Sequence, residues 1–162
     1  MRKSVFYVFV LVTISITWFS CSKENAGPIY NPQSFYYMAD GIAYSGGLNY
    51  ATYYDSSHTF QADFYPNPVQ KNFLILNFSA PGYITPGTYY AGYDSARQVR
   101  VSMSYYTDGS HEYTSITGSL TITSIDTILH SINGKFQFTG KYLRDIRQIT
   151  AGRFENLIYQ VK

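Results

Sequence analysis

From Phe35 onward the chain alternates apolar and polar side chains with a period of two, which sends neighbours to opposite faces of a strand and leaves one face for a core. Val99, Val101, Met103 and Tyr105 fall on one face, with Gln98, Arg100, Ser102 and Ser104 on the other. Phe60, Ala62 and Phe64 alternate in the same way with Gln61, Asp63 and Tyr65, and Phe136, Phe138, Gly140 and Tyr142 with Lys135, Gln137, Thr139 and Lys141. The run Phe73–Phe78 is apolar on both faces, which predicts a central strand. Between the runs stand turn formers: Asp40-Gly41, Asp55-Ser-Ser57, Pro66-Asn-Pro68, Pro81-Gly82, Pro86-Gly87, Thr107-Asp-Gly109 and Asp126-Thr127. Asp40-Gly41 is a two-residue hairpin signal, because both residues tolerate positive φ. Asn133-Gly134 carries the same chemistry but is read as a bulge inside one strand from about Leu129 to Tyr142. Only Tyr142–Gln148, with Leu143 and Ile146 three apart, has the spacing for a helical turn, and it is too short to change the class. The pattern predicts an all-β domain, an antiparallel β-sandwich of roughly nine to ten strands, with an up-and-down β-barrel as the alternative. A sandwich would meet a ligand on an exposed face or at its loop ends. A barrel would offer an internal cavity to a small apolar molecule.

The first 20 residues follow a different rule. Arg2-Lys3 precedes an apolar run, Val5–Phe19, of 15 residues, with three hydroxylated positions near its end and no acidic residue, the layout of an export signal and short of the roughly 20 a spanning helix needs. It stops at Ser20-Cys21, and Cys21, the only cysteine, cannot enter an intramolecular disulfide. This end resembles a bacterial lipoprotein signal, which implies cleavage before Cys21 and acylation of its thiol and freed amine. Two or more acyl chains at about 0.8 kcal/mol per buried methylene make a stable membrane anchor. The expected organisation is therefore a lipoprotein signal at 1–20, a flexible tether at 21–34 broken by Pro28 and Pro32, and a single β domain at 35–162. Ser22-Lys23-Glu24 resembles a surface-export signal of Bacteroidota lipoproteins, and the expected address is the outer membrane, periplasmic or surface-facing.

Several short motifs carry a further resemblance: Asp40-Gly41 in an early hairpin, Pro86-Gly-Thr-Tyr89, Gly118–Asp126, Gly134-Lys-Phe-Gln-Phe-Thr139 and Gly152-Arg-Phe154. Their order is similar to that in small Bacteroidota lipoproteins of an all-β domain family without assigned function. The likeness spans most of the chain after the signal and implies an all-β fold with a bulge at Gly134. It brings no catalytic residues.

Charge narrows the partners. Of 12 basic side chains Arg2 and Lys3 precede Cys21, leaving 10 against 10 acidic ones, so no surface seeks a polyanion and nucleic acid is not an expected partner. His58, His111 and His130 are far apart and not at zinc-motif spacing, and no cofactor fingerprint is present. Ser110-His-Glu112 juxtaposes triad residue types, but neighbours in a strand point apart and cannot relay a proton. Asp63, Asp94, Asp108 and Glu112 are the raw material for a carboxylate pair in a glycan-acting hydrolase. The most unusual feature is tyrosine: 17 of 18 lie after the signal, with doublets at Tyr36-Tyr37, Tyr53-Tyr54, Tyr89-Tyr90 and Tyr105-Tyr106. One ring of each doublet should face out, and Tyr53, Tyr54, Tyr90 and Tyr106 are the candidate ligand face. The expectation is a lipid-anchored envelope module, not an enzyme, that binds a glycan or protein, or alternatively carries a small apolar ligand.

Overall fold

Alternation becomes architecture through the register of the strands. The computed structural model describes residues 34–46, 48–66 and 71–162; the signal, Cys21 and the tether up to residue 33 lie outside the described residues. Twelve strands follow: β1 (Ser34–Ala39), β2 (Ile42–Ser45), β3 (Leu48–Tyr54), β4 (Thr59–Tyr65), β5 (Phe73–Ser79), β6 (Gly87–Tyr90), β7 (Gly92–Asp94), β8 (Val99–Thr107), β9 (His111–Asp126), β10 (Ser131–Tyr142), β11 (Asp145–Ile158) and β12 (Gln160–Val161). All belong to one sheet, ordered β12-β3-β4-β5-β8-β9-β10-β11-β1-β2, with β6 paired to β9 and β7 to β8. The domain is all-β, as the alternation requires. Its sheet curls into a half-barrel whose walls face each other across one core, and it is antiparallel except where β12 runs parallel to β3. Among the described residues no helix is long and apolar enough to cross a membrane.

The inward positions are those the period of two selects. Val99, Val101, Met103 and Tyr105 are buried, as are Phe60, Ala62, Phe64, Phe136 and Phe138. β5 is central, between β4 and β8, with Leu74, Leu76 and Phe78 in the core. Rings from opposite walls meet there: Phe35 of β1 lies 5.2 Å from Phe64 of β4, and Phe64 lies 6.1 Å from Phe136 of β10. Each tyrosine doublet has one inward ring, Tyr37, Tyr53, Tyr89 and Tyr105, all buried.

Turn chemistry is equally local. Asp40 (φ 49°) and Gly41 (φ 82°) make the two-residue β1–β2 hairpin. Asn133-Gly134 is a bulge within β10, where the register to both neighbours slips. The helical turn expected at Tyr142–Gln148 is absent; Leu143 (φ 53°) and Arg144 form the tight β10–β11 hairpin, and Ile146 and Gln148 alternate in β11. Pairing of residues 145 and 146 with Tyr142 and Lys141 supplies more hydrogen bonds than one isolated helical turn could.

Two features shape the ends of the half-barrel. β8 and β9 pair only near their hairpin, then splay; β7 takes the free edge of β8, and β6 that of β9. At the last residues the chain leaves β11, with Tyr159 N–H donating to the His130 carbonyl at 2.8 Å. Gln160 and Val161 then pair with Thr52 and Tyr53, and Lys162 N–H donates to the Tyr53 carbonyl at 2.9 Å. The end of β11, from the other half of the sheet, is thereby tied to β3, closing one end.

Candidate functional site

At that closed end the interior is not filled. The β3–β4 turn, the loop after β5, the β9–β10 hairpin and the final strand surround a cavity of about 280 Å³. Its walls are aliphatic and aromatic: Ile84, Ile125, Ile132 and Val161 with Tyr53, Tyr83 and Tyr159, while Asp55, Thr127 and His130 add polar groups. The rings support one another. Tyr83 is stacked 6.2 Å from Tyr53, His130 is stacked 5.4 Å from Tyr159, and Phe60 meets Tyr159 edge-on at 6.1 Å from the core side. Tyr53 shares a hydrogen bond with His58 Nδ1 at 3.1 Å, which fixes its hydroxyl at the β3–β4 turn. His58 sits there because φ of 47° lets it end the Asp55–Ser57 3-10 turn. Burial, then the Asp55 charge and the neighbouring tyrosines, hold the Tyr53 phenol above its usual range; burial and Asp126 do the same to Tyr159. Both phenols are neutral hydrogen-bonding groups at physiological pH. Tyr83, 73% exposed, stands at the rim.

Of the four residues proposed as a ligand face, the structure brings only Tyr53 to this cavity, and it is the inward ring of its doublet. Tyr54 and Tyr90 point outward on β3 and β6. Tyr106 lies in an outer aromatic row running over four strands, Tyr50, Tyr65, Phe73 and Tyr106, with centroid spacings of 6.1, 5.2 and 4.2 Å. Phe73 and Tyr106 are nearly coplanar in orientation, 8° apart, so their faces cover each other and leave edges outward. Burial and a hydrogen bond with Glu112 push the Tyr106 phenol up to about 12. The row is cross-strand stabilisation of the outer face.

Of the four candidate acids, Asp63 and Glu112 both lie near enough to Tyr106 to raise its phenol. Asp94 ends β7 and pairs with Arg97 at 2.8 Å, Asp108 occupies the β8–β9 turn, and Asp63 and Glu112 lie on β4 and β9. Glu112 accepts from Ser104 Oγ at 2.8 Å, and Asp63 accepts from Gln61 Nε2 at 3.0 Å. Among the described residues no group of three or more metal-ligating side chains comes together.

Alternation could not reveal Tyr83, Ile84, His130 and Tyr159, because each sits in a connection or at a strand end. The one signal was the apolar pair Tyr83-Ile84 inside a proline-bounded loop, Pro81–Pro86. No protein-family model, curated protein or solved structure matches this chain.

Proposed function

We propose that this protein is an exported, lipid-anchored binding module of the cell envelope that receives a small, mainly apolar molecule in the end cavity. The observation that carries this reading is a cavity of about 280 Å³ walled by aliphatic and tyrosine side chains in a domain whose other inward positions are packed. Apolar walls with a few convergent polar groups are the usual composition of a small-molecule site. Here the apolar walls would take up the body of the ligand, and Asp55, Thr127 and His130 would orient its polar end. Tyr83, exposed and stacked on Tyr53, is the group a ligand would displace or cover on entering. The anchor part of the proposal rests on Cys21 and its flanking signal.

The binding part is tested with the mature domain and a panel of small apolar and planar aromatic compounds, read by calorimetry. Saturable binding is expected, and Ile125→Trp, which fills the cavity, should weaken it at least tenfold while the melting midpoint changes little. Binding unaffected by the filled cavity, or none across the panel, would contradict the reading. The anchor is tested by mass spectrometry of protein from native-host membranes, where cleavage before Cys21 and acyl mass on it are expected.

A further inference from the structure

The opposite end of the half-barrel has a different chemistry. The β1–β2, β8–β9 and β10–β11 hairpin turns converge there, tied by Asp40 N–H donating to the Gln148 carbonyl at 2.9 Å. The β8–β9 and β10–β11 turns border an open hollow of about 420 Å³ that includes Asp108, His111, Tyr142, Arg144, Asp145 and Arg147. Arg147 is fixed at its centre. It donates from Nη1 to Asp40 at 2.8 Å and from Nη2 to Asp145 at 3.1 Å, and its guanidinium lies 5.3 Å from the centroid of the Tyr113 ring. Tyr113 Oη–H donates to the same Asp145 at 2.7 Å. His111 stands edge-on to Tyr142 at 5.0 Å, and Tyr142 neighbours Tyr113 at 5.8 Å.

One hydrogen-bonding group in this cluster is left over: Arg147 Nε is buried without an acceptor among the described residues, although both other nitrogens are paired. Leaving such a group unpaired is costly, because it has lost its water without gaining a partner. Asp108, His111 and Arg144 have no ion-pair partner among the described residues. The hollow therefore offers the free Asp108, His111 and Arg144 side chains around the fixed Arg147–Asp145 pair, beside ring surface.

Those properties discriminate between ligand classes. Asp108 and Asp145 oppose a strong anion, and Arg144 and Arg147 oppose a strong cation. A lipid-like molecule would strip water from these charges with no return. A neutral polyhydroxylated ring suits both: each hydroxyl donates to a carboxylate and accepts from a guanidinium or imidazole, while its C–H face packs on Tyr142. In the outer aromatic row the Phe73 and Tyr106 faces already cover each other, and among the described residues that row carries no arginine or histidine beside it. We infer that the hollow between the β8–β9 and β10–β11 hairpins, centred on Arg147, is a binding site for a neutral sugar residue of a glycan, separate from the apolar cavity at the other end.

The test uses the mature domain and neutral trisaccharides built from glucose, mannose, galactose or N-acetylglucosamine, with a uronic-acid trisaccharide and spermine as charged controls. Amide chemical shifts are followed in an NMR titration. Saturable shifts confined to residues 107–113 and 142–147 with at least one neutral trisaccharide are expected. Arg144→Ala should weaken binding at least fivefold with an unchanged melting midpoint, and Tyr142→Ala at least fivefold with a lowered midpoint because its ring also packs on the core, whereas Ile125→Trp at the far end should leave binding intact. Binding of only the charged controls, shifts mapping elsewhere, variants that bind normally, or no saturable response would each overturn the proposal.

Discussion

At the scale of single residues, the glycines of the sequence motifs find a physical reason in the register. Gly134 pairs across β10 and β11 with Phe154, and Phe136 with Gly152, so each ring lies over the glycine opposite it. A Cβ on Gly134 would stand 2.4 Å from Phe154 Cζ, and one on Gly152 2.5 Å from Phe136 Cδ2. This is the way a sheet fills a glycine gap with a cross-strand aromatic. Gly134→Ala and Gly152→Ala should each destabilise by about 1–3 kcal/mol through overpacking, measured by urea denaturation. Phe138→Ala, at a ring 3% exposed, should cost about 3–5 kcal/mol; a loss under about 1 would contradict the burial. Asp63 gives a pH test. Burial raises its carboxyl above the usual range, against the Gln61 amide that lowers it, so the folded chain binds this proton more tightly than the unfolded one. That contribution is fully present below the unfolded carboxylate pKa and is lost as pH rises through the folded value. Asp63→Asn should therefore gain stability relative to the wild type on going from pH 3 to pH 7, in paired urea titrations. Equal differences at both pH values would show that the carboxylate is not desolvated.

Among the elements, the β1–β2 hairpin does more than reverse the chain. Asp40 takes the left-handed conformation of its turn and, from the same side chain, accepts from Gln148 N–H and Arg147 Nη1, both at 2.8 Å. The turn thus locks β1 to β11 and orients the Arg147 guanidinium at the polar hollow. Asp40→Ala should cost about 1 kcal/mol, discounted for partial exposure, and Asp40→Asn less, since Asn keeps the backbone acceptor and tolerates positive φ. Comparable losses in both variants would place the whole effect in the ion pair. The short final strand is the matching device at the other end. It holds Val161 in the apolar wall and joins β11 to β3, so deleting Gln160–Lys162 should open the cavity, lower the melting midpoint and weaken apolar-ligand binding together.

On the scale of the whole molecule, one curled sheet separates two environments. The core is packed with aromatic rings, the end between the β3–β4 turn and the final strand is apolar, and the hairpin end is charged and hydrogen-bonding. Ligands at the two ends should bind independently, because no shared side chain lines both sites. Calorimetric titration of one ligand in the presence of the other checks this, with equal affinities expected. Cys21→Ser should abolish membrane attachment without changing the domain's melting, since Cys21 precedes the first strand by a proline-broken segment.

Strand identity, the inward rings, the Asp40-Gly41 hairpin and the Asn133-Gly134 bulge were determined by the sequence itself, because period-two burial and positive-φ turn chemistry act between near neighbours. The helical spacing at Tyr142–Gln148 misled for the complementary reason: a hairpin offers pairing with β10 that a local pattern cannot show. The joining of all strands into one curled sheet, the insertion of β6 and β7 between β8 and β9, and both end sites were decided only by tertiary structure. Tyr53, Tyr83, His130 and Tyr159 come from four separate segments, and Asp40 meets Arg147 across 107 residues. Such meetings depend on long-range register and curvature, which no local alternation encodes.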